Sequence, residues 1–265
     1  MQHCPIEASR LLRLADWEGS SAQDAWSGLA FARWSTATAE VIAPFWHGTL
    51  ANWYELDQDV RRALAHRLAS VCLRADLTGT FGQPLELLTN WIAVADDESV
   101  SALTHTLYAA LGDVPPEMKE NLWEAWVQEY VRRRIEGLPR ALAPGEGRAL
   151  IELILRFPSQ LGDVIETMEQ NLPAEPRREV VYFRLTEKLA GADPDSAARL
   201  LLLLLRAETS DEYFDRSSAG EVAESLLGSA STEVLHQIAN ELSRLNFSEA
   251  IEFKHRIDQS AGEQA

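Results

Sequence analysis

Cysteine is nearly missing from this chain of 265 residues: Cys4 and Cys72 are the two it has. They lack the spacing of a metal site, and a chain of this length does not depend on one disulfide, so free thiols in a reducing compartment are expected. Basic residues are also in short supply. Lys and Arg number 24 against 41 Asp and Glu, a net charge of −17 with a pI near 4.8. Duplex recognition rests on clustered Lys and Arg, so this balance argues against a nucleic-acid partner, and equally against adhesion to an anionic membrane. The longest apolar run, Leu200 to Leu205, is far short of the roughly 20 residues a bilayer span needs. The first residues, MQHCPIEASRLLRLAD, lack a basic segment followed by an apolar one, so no secretory leader is expected. A cytoplasmic protein without a membrane partner is the resulting expectation.

Strand signals are missing too. No segment alternates apolar and polar residues over a β-branched stretch bounded by hairpin turns. Val180-Val181-Tyr182-Phe183 is the nearest approach, and it lies inside a helical pattern. Catalytic signatures are absent in the same way: there is no GxxxxGKS/T, no GxSxG and no HExxH. Gly145-Glu146-Gly147 has half of a dinucleotide fingerprint but neither the third glycine nor a preceding strand, and reads as a loose helix N-terminus. His3, His47, His66, His105, His236 and His255 do not pair with one another or with cysteine at metal spacing. His66, among Arg61, Arg62 and Arg67, is expected on a solvated face. The acidic clusters Asp57/Asp59 and Asp96/Asp97/Glu98 sit where helix caps and first-turn charges belong, and no EF-hand spacing accompanies them. No catalytic residue, cofactor or metal is therefore assigned.

What is present is helix. Hydrophobic residues make up 46% of the chain, ordinary for a packed protein. In the stretch 121–157, Trp123, Trp126, Val127, Tyr130, Val131 and Ile135 recur at three- and four-residue steps, the buried stripe of a helix. Gly137 stands where a left-handed C-terminal cap is wanted and Pro139 follows. Pro144 opens a second stripe, Leu150, Ile151, Ile154 and Leu155, ended by Pro158. Two helices joined by a short Pro/Gly turn form a hairpin that must be covered by its neighbours. Comparable signals give helices at Ile6–Asp16, around Trp26–Phe31, over Thr38–Leu56 with a break at Pro44, and from Asp57 to Arg74. Further ones run from Leu85 to Ala95, Ser99 to Leu111, Leu161 to Asn171 and Arg178 to Leu189. Asp193-Pro194 caps a helix carrying the leucine run, which is expected to be buried on most sides. Thr209/Glu212 and Asn246/Glu249 have capping-box spacing. Stripes at Val222/Leu226/Leu227 and Val234/Leu235/Ile238/Leu242 give two more helices, and Ala250, Ile251 and Ile257 mark the last.

The helix–turn–helix unit recurs about every 35–45 residues, the range of HEAT-type units. The expected fold class is all-α, an irregular HEAT-like α-solenoid of helix hairpins, with a compact multi-helix bundle as the alternative. A Trp-rich N-terminal helical region, 1–110, a C-terminal helical-repeat region, 111–260, and a disordered tail, 261–265, are the expected organisation, or one continuous solenoid.

All eight tryptophans lie at or before Trp126. Tryptophan packs cores and is also enriched where proteins dock. Arg132, Arg133 and Arg134 stand out against the acidic background, with Arg140 nearby, and arginine suits bidentate recognition of carboxylate or phosphate. Consecutive helical positions point in different directions, so the three do not form one patch. Trp123, Trp126, Tyr130, Arg133, Arg134 and Arg140 are the candidate interaction surface.

Residues 123–168 resemble a bacterial helical domain of unknown function. Its helix-end motif of tryptophan, a second aromatic, arginine, glycine and proline would be filled here by Trp126, Tyr130, Arg133 or Arg134, Gly137 and Pro139. The similarity extends over roughly residues 110–260. It implies a place among antiviral-defence proteins, where that domain commonly follows a sirtuin-like domain. It implies no catalytic residue. No catalytic domain precedes the match here, so the chain is expected to act beside a separate effector or as a piece of a larger protein. Three functions are weighed. A non-catalytic scaffold or adaptor that binds another protein comes first. An enzyme or small-ligand binder, its site assembled from acidic residues with His66 or His105, comes second. A HEAT-like nucleic-acid binder comes third.

Overall fold

The computed structural model describes residues 53–73, 83–171, 189–208 and 216–264. Among these residues all regular structure is helical and there is no strand. The expected helices at Ile6–Asp16 and Trp26–Phe31, most of those at Thr38–Leu56 and Arg178–Leu189, the run Val180–Phe183 and the Thr209/Glu212 box lie outside the described residues. The chain divides into two compact units, Met1–Leu153 and Ile154–Ala265.

In the first unit, a short 3-10 turn at Trp53–Glu55 precedes α1 (Gln58–Cys72), α2 (Pro84–Val94), α3 (Asp97–Gly112) and α4 (Pro116–Leu122). A π-helical stretch, Trp123–Val127, runs directly into α5 (Gln128–Ile135), and α6 (Glu146–Ile154) follows the turn. Asp57 stands at the N-cap of α1 as expected, though its side chain makes no capping hydrogen bond. Asp96 does cap α3: its carboxylate accepts from Ser99 N at 3.0 Å and from Ser99 Oγ at 3.0 Å. α1 packs along α3, joining Val60, Leu64, Leu68 and Val71 to Val100, Leu103, Leu107 and Leu111, all buried. Trp53 meets Trp91 of α2 edge-on, ring centroids 5.1 Å apart, and both rings are buried.

The expected division at 110/111 followed tryptophan content, whereas the units meet at 153/154. The reason is packing: the π stretch and α5 lie against α2, and Tyr130 shares a 2.9 Å hydrogen bond with Thr104 of α3. Both sides of the 110/111 position thus share one core.

The second unit holds a 3-10 turn at Pro158–Gln160, α7 (Gly162–Asn171), α8 (Pro194–Ala207), α9 (Arg216–Ser225), α10 (Thr232–Arg244) and α11 (Ala250–Gln264). Asp193 caps α8 as expected, accepting from Ser196 N at 3.1 Å with Pro194 in the first turn. Five of the six residues Leu200 to Leu205 are buried, Leu203 being the partly exposed one. α8 packs on α10, and α10 on α11. Arg244 at the end of α10 donates to the carbonyls of Leu205 at 2.8 Å and Glu208 at 3.0 Å, so a cation closes the C-terminus of α8.

Two expectations change here. Asn246 does not cap the last helix. It sits at φ 58°, just past the end of α10, with Asn246 N donating to Ser243 O at 3.1 Å and Phe247 N to Leu242 O at 2.9 Å. That is a Schellman ending, which asparagine fills because its short polar side chain tolerates the left-handed region. The expected disordered tail is helical as far as Gln264, since no proline or capping break interrupts α11.

Candidate functional site

The turn between α5 and α6 is built around one arginine. Gly137 has φ 76°, Gly137 N donates to Arg134 O at 3.0 Å and Leu138 N to Arg133 O at 2.8 Å, which ends α5 in the glycine-type cap that the sequence calls for. The Leu138–Pro139 bond is cis. Gly145, at φ 78°, comes between Pro144 and the first residue of α6, so the helix begins two residues later than Pro144 suggests. The arc between is held by Arg134. Its Nε and Nη2 fork onto the two carboxylate oxygens of Glu146 at 2.7 and 2.8 Å, and its Nη1 donates to Leu138 O at 2.7 Å and Arg140 O at 2.9 Å. Glu146 also accepts from Ala143 N at 2.8 Å, reaching back three residues as the acidic half of a capping box does. Both side chains are essentially without solvent. Burial opposes the charge on Arg134, but the hydrogen bonds and charge of Glu146 outweigh it and hold the guanidinium above its ordinary value.

The six residues of the expected interaction surface separate on burial. Trp123, Trp126, Tyr130 and Arg134 are at most 4% exposed and belong to the core or the turn. Burial, and secondarily the nearby Glu146, push the Tyr130 phenol well above its usual range, so it stays neutral. Arg133 and Arg140 are partly exposed but committed. Arg133 donates to Glu129 at 2.7 Å, and Arg140 bonds the carbonyl of Ala95 and the carboxylate of Asp97. Arg132 spans Glu129 and Glu136, at 2.8 Å to each. The arginines against the acidic background are thus internal staples of helix ends and turns. The aromatic stripe is core because the π stretch and α5 pack on α2, and Tyr130 bonds Thr104 of α3. Glu146 was the residue missed: it accepts from the backbone of Ala143, a residue with none of the hydroxyl chemistry by which a capping box is read.

Acidic residues and histidine do gather on α3. A cleft of about 550 Å³ is lined by Asp97, Glu98, Ser101, Ala102, His105 and Pro144. Glu98 is engaged by Arg62 and Gln58, Asp97 by Arg140, and His105 Nδ1 lies 4.0 Å from Glu152. His66, exposed as expected, bonds Thr106 on the neighbouring helix. Partial desolvation of the ring, then the charges of Arg67 and Arg62, hold its pKa below the ordinary histidine value. No set of three His, Cys, Asp or Glu among the described residues is placed to hold a metal.

A larger cleft, about 650 Å³, lies in the second unit between α9, the turn after α10 and the start of α11. Its apolar walls are Ala223, Leu242, Phe247 and Phe253, and its rim carries Glu221, Glu224 and Glu249. Phe247 and Leu242 are the two residues joined by the Schellman hydrogen bond, so the helix ending itself places the ring. Gly220 lets that ring lie against α9: a Cβ there would stand 2.6 Å from Phe247 Cζ. Burial raises the Glu224 carboxyl above its usual range, against the opposing pull of Arg256. No sequence motif marks this cleft, because its parts are a helix end, a glycine and scattered glutamates.

Comparison with protein-family models, with curated proteins and with solved structures found no match to this chain.

Proposed function

We propose that this protein is a non-catalytic helical scaffold or adaptor that binds another protein. The observation that supports this reading most directly is the internal commitment of its reactive-looking residues. The arginine cluster and the Asp96 cap hold helix ends and the hairpin turn, and the aromatic stripe is buried in the core. The forked Arg134–Glu146 pair makes the α5–α6 turn a fixed corner, which suits a surface that presents helix faces to a partner. Helices pair within each unit, α1 with α3, α8 with α10 and α10 with α11, and this pairing supports the reading of an irregular HEAT-like array. The resemblance of residues 123–168 to a defence-associated helical domain supports looking for the partner among bacterial defence proteins, in the cytoplasm.

Affinity purification of the tagged full chain from the organism that encodes it tests the reading. A partner recovered in fixed stoichiometry, which then re-forms a complex with the purified chain on size exclusion, supports it. Recovery of no such partner, alongside turnover of a small metabolite by the purified chain, overturns it.

A further inference from the structure

The helix that carries the aromatic stripe runs unbroken from Pro116, through α4, the π stretch and α5, to Ile135. Its later part is core, with Trp123, Trp126, Tyr130 and Val131 buried, whereas α4 buries no residue. A π turn separates the two parts, a register change that recurs at functional sites. Two rows run side by side along the part that faces solvent. Glu117, Glu120 and Glu124 form one, at three- and four-residue steps, and all are exposed. Met118, Leu122 and Ala125 form the other. Met118 is 52% exposed, Ala125 is exposed and Leu122 half-buried.

Like charges at these steps repel one another along a helix. On α5 the chain supplies its own answer: Glu129 is held by Arg132 and Arg133, and Glu136 by Arg132. Among the described residues none gives Glu117, Glu120 or Glu124 a counter-charge. Lys119, the one cation of α4, stands at neither a three- nor a four-residue step from any of them. This face excludes most occupants. Nucleic acid, an anionic membrane or a second copy of the row would set negative charge against negative charge. A wholly apolar partner would cover Met118 but strip water from three unpaired carboxylates. No set of three His, Cys, Asp or Glu among the described residues is placed to hold a metal. A helix whose Lys or Arg residues repeat at the same steps, beside an apolar stripe, meets both rows at once. Methionine adapts its shape to such a surface.

We propose that the exposed side of α4 docks a basic amphipathic helix of a protein partner. Its cations pair with Glu117, Glu120 and Glu124, and its apolar stripe covers Met118 and Leu122. The proposal rests on the protein-binding reading above and names the surface and the chemistry of the partner. Attraction between the two rows speeds the encounter, and salt weakens it.

The test uses the full chain with labelled methionine methyl groups and two helical peptide probes. Both carry leucine along one side, flanked by lysine in one peptide and by glutamate in the other. Met118 reports on the face, and Met168, 1% exposed in the second unit, is the internal control. The lysine peptide is expected to shift the Met118 signal, to leave Met168 unmoved and to bind more weakly as salt rises. The variant Glu117→Gln/Glu120→Gln/Glu124→Gln is expected to bind it about tenfold less tightly, as the loss of three exposed ion pairs implies. Its melting temperature should equal or exceed that of the wild type, since it removes repulsion and no internal pair. A control of equal charge change, Asp59→Asn/Glu86→Gln/Glu233→Gln, spreads the loss over α1, α2 and α10 and should bind nearly as the wild type does. An equal response to both peptides, no shift at Met118, undiminished binding by the α4 variant, or an equal loss in the scattered control would each overturn the proposal. Affinity purification separates the two ideas. A partner recovered equally by the wild type and the α4 variant removes the docking proposal and leaves the scaffold reading standing. A wild type that recovers no partner removes the scaffold reading, and the peptide titration still decides on α4.

Discussion

Arg134 and Glu146 face each other across the ten-residue turn 136–145, joined by two parallel hydrogen bonds of 2.7 and 2.8 Å, with side chains 1% and 0% exposed. A pair this deeply buried contributes little relative to apolar residues of the same size, but losing one partner leaves the other charged and dry. Glu146→Gln is therefore expected to cost about 3–5 kcal/mol in urea unfolding. Arg134→Met is expected to cost a similar amount, because it also strands the carbonyls of Leu138 and Arg140. The double variant Arg134→Met/Glu146→Leu should lose less than the sum of the two, and simple additivity would show that the pair does not act as a unit.

The cap of α3 gives a pH dependence with a definite sign. Burial raises the Asp96 carboxyl, but the hydrogen bonds from Ser99 and the charge of Arg61 outweigh it, so its folded pKa lies below the ordinary value. The cap's contribution is then fully present above the unfolded value, about 3.9, and is lost as pH falls through the folded one. Asp96→Ala is expected to cost about 1 kcal/mol near neutrality. In denaturant curves taken at a series of pH values, the gap between wild type and variant should close below about pH 4.

His66 works in the opposite sense from a salt-bridged histidine. Its folded pKa is depressed by partial desolvation of the ring and by Arg67 and Arg62, so the unfolded chain takes up its proton first. Stability linked to this group is complete above about pH 6.5 and falls as pH drops through that unfolded value toward the folded one. His66→Gln should flatten that part of the stability profile. An NMR titration placing the native imidazole at or above the free value would contradict the structure.

Asn246 holds φ 58° at the end of α10. Asn246→Ala is expected to lose about 1 kcal/mol and Asn246→Gly to be neutral or slightly stabilising, judged by thermal unfolding. Loss of the same size in both variants would point to a side-chain role in place of a backbone one.

Gly220→Ala should fail to deliver the gain of about 1 kcal/mol that alanine normally brings inside a helix, because its methyl would meet Phe247 Cζ. In a Phe247→Ala background the gain should return. A full gain in the wild-type background would show that the ring moves away freely.

The readable parts of the fold were those governed by local chemistry. The helical class, the glycine cap at Gly137 and the Asp193-Pro194 start all follow from backbone preferences over a few residues, and the structure has each of them. What could not be read depends on partners distant in sequence. Asn246 and Glu249 satisfy a capping-box spacing, yet the asparagine ends the preceding helix, since either role fits the same residue type. Trp123, Trp126 and Tyr130 fitted both a buried stripe and an interaction surface, because periodicity fixes which residues share a face but not what covers it. The cleft around Phe247 needed both a backbone turn and a missing side chain at Gly220, neither of which leaves a motif.

The eight tryptophans all fall in the unit that ends at Leu153, and the unit beginning at Ile154 has none. Light absorbed near 295 nm therefore reports on one half of the molecule alone, while far-ultraviolet dichroism reports on both. If the halves melt at different temperatures, the emission curve and the dichroism curve will part company, and their separation measures the independence of the two units without a single substitution.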